Sequence, residues 1–398
     1  MRHRYFGGAL LAAVAVLAGP SLSKAQFTAG EGGGFQAPLN TDPIVHLPTG
    51  HAGDAGFYTG FEFVMLTQTR AIGHQNIAQR GFVDSTGTIL GIPGQFIGSG
   101  ARALNTADFS PRTFQPGFNL EVGWRAEDGT RIFWNYTQVY DAHYSQGASL
   151  VPWNFRTTVD LADTFLTSPV FNFNPAFAGP GNKVANLPDF SVYGIWNGAS
   201  QMDIKFTQRY QEMNFGVRVP MFQTDYSRAY GIAGGKFDWF FERFYWRAVS
   251  YDINGNTRPD FAANYTNTLS QRMYGPFLGC GNEIFVANQF SLSLDLTGSI
   301  LMNVVKQRAK YKLGDETVQS KWGREEFRLV PNANAAFNLW WYPVEGVQIR
   351  VGYQAMTFFN TLYMDEPVGF NYGNIDPGYK IKYFRLVHGF NVGIGFFF

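Results

Sequence analysis

From Phe384 to Phe398 the chain reads FRLVHGFNVGIGFFF. Taken in steps of two from the last residue, Phe398, Phe396, Ile394, Val392 and Phe390 share one face. Phe397, Gly395, Gly393, Asn391 and Gly389 share the other. Successive side chains on a strand point to opposite sides, so this alternation predicts a β-strand with one apolar face. The same period recurs along the chain. Phe57, Phe61, Phe63 and Met65 oppose Tyr58, Gly60, Glu62 and Gln68. Phe118, Leu120, Val122 and Trp124 oppose Asn119, Glu121, Gly123 and Arg125. The cleanest case sets Phe290, Leu292, Leu294, Leu296 and Ile300 against Ser291, Ser293, Asp295, Thr297 and Ser299.

Between these stretches the pattern predicts further strands over residues 130–144, 202–219, 226–246 and 269–280, one ending at Tyr342, and one opening at Val347. In the stretch from Met202, Ile204 and Phe206 are apolar on even numbers, whereas Met213, Phe215, Val217 and Val219 are apolar on odd ones. A β-bulge near Tyr210 to Glu212 is the expected cause. The connections alternate in length. Glu127-Asp128-Gly129, Pro220 to Asp225 and Pro343 to Gly346 are short, and Asp-Gly supplies the positive φ of a tight hairpin. Arg70 to Arg112, Ser145 to Ser200, Ser250 to Thr268, Lys306 to Arg324 and Asn360 to Lys382 are long and read as loops. A soluble β-sandwich has no reason to gather its long loops at one end; an outer-membrane barrel does. The expected fold is therefore all-β: a transmembrane antiparallel β-barrel of about ten strands, with short periplasmic turns and long extracellular loops. Eight or twelve strands stay open, because Val184 to Asn197 has room for a further pair.

Composition agrees with that class. Of 398 residues, 17% are aromatic and 15% charged, against the roughly 25% charged of an ordinary soluble domain. Met1 to Ala25 has the parts of a secretory signal: Arg2 and Arg4, an apolar run from Tyr5 to Ala18, and Ser23-Lys24-Ala25 as a cleavage site. That run is shorter than the about 20 residues a spanning helix needs. Its removal leaves 28 basic against 30 acidic residues, so nucleic acid is not an expected partner. Residues 26–55, rich in Gly, Pro and Ala, read as a flexible periplasmic lead-in, and residues 56–398 as the barrel. With Cys280 the sole cysteine, no intramolecular disulfide and no cysteine metal site can form; in a strand-like run it is expected as a small packing residue. The expected location is the bacterial outer membrane, with its lipid as one partner. The barrel-assembly machinery is another, engaged through Phe390, Val392, Ile394, Phe396 and Phe398.

The segments IWNGASQMDIKFTQRYQEMNFGVRVP, GGKFDWFFERFYWR, SLSLDLTGSILMNVVKQRAKYKLGD and FNYGNIDPGYKIKYFRLVHGFNVGIGFFF resemble the predicted outer-membrane β-barrel family abundant in planctomycete-type bacteria. That family is similar in turn to the Legionella-type pore-forming outer-membrane proteins. The resemblance covers most of Gly56 to Phe398. It implies the barrel fold and an outer-membrane location, and pore formation only by distant analogy. It carries no catalytic residues.

Chemistry is therefore sought on the inward faces. Glu62, Asn119, Glu121, Arg125, Asp203, Lys205, Arg209, Asp295, Arg350 and Gln354 are the expected lumenal residues. As a charged lining they would tune solute or ion passage in a small pore. Alternatively they pair across a narrow interior and plug it, since ten strands enclose little free space. The barrel is then a structural or adhesive one whose loops bind an unidentified partner. Asp141 and His143, in YDAHY, share a face that the phase of Ile132 and Trp134 makes lumenal. The pair is similar to the Asp-x-His of the omptin outer-membrane proteases, but those enzymes also need an Asp-x-Asp pair, which this sequence lacks. The pair thus reads as an ordinary polar one, and no enzyme is expected. Asp252, Asn254, Asn256 and Asp260 have alternating oxygen ligands, but the glycine and glutamate of a calcium loop fall elsewhere, so they read as an Asx-rich turn. Lys306, Arg308, Lys310, Lys312, Lys321 and Arg324 form a basic extracellular patch, solvated or touching anionic lipid head groups or surface polysaccharide. His388 continues the outward phase of the last strand. No cofactor or metal site is expected.

Overall fold

Ten antiparallel strands close into a ring in a computed structural model of the chain. It describes residues 55–398 apart from 85–86, 88–90, 150–164, 173–181, 185–186, 193–194, 225, 252–255, 288 and 345. The expected signal and most of the lead-in lie outside the described residues, as do Asp252 and Asn254. The strands are β1 Gly56–Gln68, β2 Gln115–Arg125, β3 Arg131–Ser149, β4 Gln201–Gln223 and β5 Ser227–Val249. They continue with β6 Ala262–Ala287, β7 Phe290–Leu313, β8 Gln319–Val344, β9 Val347–Glu366 and β10 Gly378–Phe397. Each pairs with its neighbours in sequence, and β10 returns to β1 from Tyr58↔Phe397 to Gln68↔Val387. The ring therefore has no free edge.

The short turns and both ends of the barrel domain lie at one end, here the terminal end. At the β2–β3 turn, Gly129 has φ +84. Asp128 accepts from the Thr130 backbone N–H at 2.8 Å and hydroxyl at 3.0 Å, and these bonds hold its carboxyl below the usual range. The opposite, loop end carries two small sheets. One joins Gln95–Ile97, Phe82–Asp84, Leu187–Val192 and Asn182–Val184; the other joins Arg102–Asn105, Asn76–Arg80 and Leu166–Thr167. Arg70 to Arg112 is thus not an unpatterned loop, and the strands within Val184 to Asn197 join a loop sheet, leaving the ring at ten. Lys306 to Arg324 is not a loop either. β7 and β8 run through it, with only residues 314–318 between them.

From β3 to β10 the strands are much longer than a membrane requires, whereas β1 and β2 have 13 and 11 residues. A spanning strand needs about 9–11 residues, and β6 and β8 have 26 each. The surplus projects at the loop end, and side-chain polarity inverts where it begins. Toward the terminal end the outward face is apolar: Phe61, Leu120, Phe215, Leu278, Phe337 and Val392 are all exposed. Toward the loop end the inward face is apolar: Met202, Ile204, Phe206, Phe244, Trp246 and Tyr311 are buried among residues of the loops. Lipid favours apolar groups outside; beyond it, water does the opposite.

This inversion corrects three assignments. β4 and β5 stay in unbroken register from Gln201↔Val249 to Pro220↔Tyr230, so no bulge lies at Tyr210 to Glu212. Even-numbered residues of β4 point inward from Met202 to Pro220. Asp203, Lys205 and Arg209 therefore face outward, beyond the apolar belt, and do not line the lumen. The bulge belongs to β3, where Gln208↔Ala142 is followed by Tyr210↔Val139. It turns Ala142 and Tyr144 inward and Asp141 and His143 outward.

Substituting Val392→Arg in the belt should lower stability in lipid vesicles by about 2–4 kcal/mol. Lys205→Leu, above the belt, should change it by no more than about 0.5 kcal/mol. Denaturant unfolding from the bilayer measures both, and equal losses would mean the belt is misdrawn.

Candidate functional site: the layered lumen

The inward faces stack into layers. Nearest the terminal end, Glu283 accepts from Arg228 at 2.6 Å, from Ser291 at 2.6 Å and from Tyr342 at 2.8 Å, gathering one group from each of β5 to β8. Arg125 is buried here. Arg131 lies 5.9 Å from the Tyr58 ring centroid and 5.5 Å from that of Phe397.

In the next layer Arg218 pairs with Asp295 at 3.5 Å, and the Tyr230 hydroxyl donates to the same carboxylate. Tyr58 donates to Glu121 at 3.2 Å. Arg350 pairs with Glu62, which also accepts from Asn119 at 3.5 Å and Asn391 at 3.3 Å. The Arg350 guanidinium rests 4.9 Å from the Trp340 ring centroid.

Above them Lys236 bridges Glu212 at 3.0 Å and Asp238 at 3.6 Å, and the Tyr210 hydroxyl donates to Asp238 at 2.7 Å. A cavity of about 130 Å³ opens beside this cluster, lined among others by Asn135, Glu212, Asn214, Lys236, Asn334 and Gln354. Its apolar roof is Met356.

That roof is part of a ring of buried apolar side chains crossing the lumen: Val64 and Leu66 from β1, Val139 from β3, Tyr210 from β4, Phe240 from β5 and Met273 from β6. Leu301, Val330, Met356, Phe358 and Val387 complete it from β7 to β10. β2 contributes Gly117, where a Cβ would come within 2.2 Å of the Gln138 carbonyl and 3.0 Å of Val64. Phe240 and Phe358 meet edge to face at 5.0 Å.

Immediately above the ring, Arg385 of β10 reaches Glu242 of β5, halfway round the barrel, through two bonds of 2.5 and 2.9 Å. Both side chains are 1% exposed. Gln208 donates to the same carboxylate at 2.8 Å, and Arg385 also donates to Thr361 at 3.1 Å. Beyond this lies the apolar core of the loop end, where Trp196 and Trp246 stand 4.2 Å apart against Tyr265, Tyr311 and Tyr372.

Of the ten expected lumenal residues, Glu62, Asn119, Glu121, Arg125, Asp295, Arg350 and Gln354 do face the lumen. Those whose partners are described are bound to one another or to neighbours. Lys236, Glu212, Arg218, Arg385 and Glu242 were missed. Each lies in phase with an inward neighbour on its strand, so extending the two-residue period would have found them. Asp141 accepts two bonds from Arg209, at 2.6 and 3.0 Å, on the outer surface, and His143 Nδ1 lies 3.2 Å from Thr207 Oγ1. Asp260 pairs with Arg258 at 3.2 Å. Cys280 is exposed on the outer face rather than packed, and His388 meets the Tyr353 hydroxyl there at 2.6 Å.

The fold and its lumen define a ten-stranded transmembrane β-barrel whose interior is crossed by a ring of buried apolar side chains. No protein-family model matches the sequence, and no curated protein matches it. Among solved structures it is similar to the outer membrane protease OmpT from Escherichia coli: 9% identity over 86% of this chain and 97% of that one, TM-score 0.44. It is also similar to the Pseudomonas putida toluene transporter TodX (9%, 86% and 89%, TM-score 0.24). A Pseudomonas aeruginosa FadL homologue is a third (8%, 86% and 90%, TM-score 0.21). Likenesses this distant assign no substrate and no reaction, and the barrel stands on its own strand pairing.

Arg385→Ala leaves a buried carboxylate unpaired and should cost about 3–5 kcal/mol. Adding Glu242→Leu to Arg385→Met should cost less than either single change. A double-mutant cycle on unfolding free energies checks this; additive losses would mean the two groups are not coupled.

Proposed function

We propose that this protein is an outer-membrane β-barrel that keeps its lumen closed and works through its loop-covered outer end. It is a surface scaffold rather than an open porin. The orientation follows the general rule for such barrels, with the terminal end in the periplasm and the loop end outside. The observation that carries the reading is the apolar ring backed by the cross-lumen Arg385–Glu242 pair. Solutes in a porin cross a water-filled polar passage, whereas here buried apolar side chains from nine of the ten strands pack across the middle of the barrel. The loop-end core above it supports the same reading, because its aromatic side chains tie the outer segments into the barrel mouth. The proposal includes assembly through the outward C-terminal residues Phe390, Val392, Ile394, Phe396 and Phe398. It includes no reaction, since Asp141 is engaged by Arg209 outside the lumen.

The cavity beneath the ring favours a second reading: a small channel whose ring is a gate that opens by moving apart and wetting. Glu62, Asn119, Glu121, Arg125, Asp295, Arg350 and Gln354 would then line its inner half. Single-channel recording of the refolded mature protein in a planar bilayer separates the two. The closed reading expects no steps from wild type and leak currents once Phe240→Ala is combined with Phe358→Ala. Discrete, stable steps from wild type would overturn it, and a changed ion selectivity in Arg350→Gln would then locate the passage.

A further inference from the structure

Just beyond the apolar belt, the outer faces of neighbouring strands carry cations that neither the lumen nor the loop-end core uses. On β5 the outward positions run Phe237, Trp239, Phe241 and then Arg243. On β7 they run Ile300, Met302, Val304 and then Lys306, Arg308 and Lys310. Strand register aligns these into rows. Arg243 is level with Thr268, Thr268 with Arg308, and Arg308 with Gly323. One step further from the belt, Thr266 is level with Lys310, and Lys310 with Lys321.

Neighbouring strands are about 4.8 Å apart, so Arg243 and Arg308 stand roughly 10 Å apart with the Thr268 hydroxyl between them. Gly323 leaves the far end of that row without a side chain. Lys310 directly faces Lys321, a like-charge opposition that is unfavourable until an anion joins them. Among the described residues no carboxylate forms an ion pair with Arg243, Arg308, Lys310 or Lys321, whereas Lys306 has Glu325 at 3.5 Å. The rows open directly onto bare apolar surface: Ile300 is 64%, Phe327 67% and Leu329 63% exposed.

We propose that these rows seat a lipid of the outer leaflet whose head group carries more than one phosphate. Guanidinium forks, ammonium groups and an intervening hydroxyl are the donors that phosphate oxygens accept from. Two rows of cations match more than one phosphate. The adjoining apolar face receives the acyl chains of the same molecule, which a soluble polyanion would leave bare.

The test uses the full mature barrel in phosphatidylcholine nanodiscs doped with a bis-phosphorylated diglucosamine lipid, with retained lipid read by native mass spectrometry. Wild type should retain this lipid over its dephosphorylated form, and less of it as salt rises. The double variant R243Q/R308Q should bind about 30-fold more weakly, from the loss of two cations at an anionic head group. K380Q, an exposed lysine on β10, should bind as wild type does. Heat-modifiable migration on gels confirms that each variant is folded. Equal retention by R243Q/R308Q, or equal retention of the dephosphorylated lipid, overturns the proposal. Binding of soluble pyrophosphate as tightly as the lipid also overturns it, and would assign the rows to a free polyanion.

Discussion

Backbone pairing in a medium without water is the constraint on which the rest of this structure depends. Each N–H or C=O left bare in hydrocarbon costs several kcal/mol, so a sheet that spans lipid must close. Here closure is the ladder between β1 and β10, from Tyr58↔Phe397 to Gln68↔Val387. Closing at ten strands fixes a lumen little wider than the side chains that fill it. Charged groups pointing into so narrow a space must meet partners. Arg350 finds Glu62, Arg218 finds Asp295, Lys236 finds Glu212, and Arg385 crosses to Glu242. The pairing of the lumenal charges is thus a consequence of strand number and not a separate feature.

The second determinant is that each long strand passes through two media. A fully buried Trp or Tyr removes about 150–250 Å² from water, worth roughly 4–6 kcal/mol before entropy is subtracted. Trp196, Trp246, Tyr265 and Tyr311 therefore give the loop end a core of the kind found in soluble proteins. Ion pairs could not do this work, since a buried pair gains little over the desolvation it costs. Apolar burial secures the outer segments to the mouth, and polar pairing fills the membrane half.

How legible this was in the sequence depended on whether a strand's surroundings stayed constant. The outward Phe390, Val392, Ile394 and Phe396 and the inward Ser291 and Asp295 were readable because one medium acts along the whole stretch. Ten strands and their order followed from the same signal. Asp203, Lys205 and Arg209 were misplaced because a reversal of polarity has two causes that look alike in one strand: a bulge that shifts the phase, or a change of medium that leaves it intact. β4 has the second. β3 has the first, at Tyr140 and Asp141, and a single misplaced residue there carried Asp141 and His143 to the wrong face. The hairpin tip around Lys306 to Arg324 reads as a loop in the sequence because its outward lysines and arginines look solvated in any conformation. The cross-lumen pairing of Arg385 with Glu242 joins residues 143 apart, and no local pattern announces it.

The packed apolar ring raises the question of why the membrane half of the lumen beneath it is polar at all, since apolar packing would fill it at less desolvation cost. Register supplies a physical answer. A slip of one residue turns every side chain of a strand to the other face, and the penalty for that slip is the contrast between the two faces. Were Glu62, Asp295 and Arg350 replaced by Leu or Val, the contrast between the two faces of their strands would shrink. A slipped barrel would then meet lipid almost as well as the correct one. With charges inward, a slip drives carboxylates and guanidiniums into hydrocarbon, where Arg and Lys at the midplane cost about 2–4 kcal/mol each. Summed over several strands, that penalty sets the slipped alignments apart from the correct one. The lumenal charges therefore act less as stabilising contacts than as the reason only one alignment of these strands is tolerated.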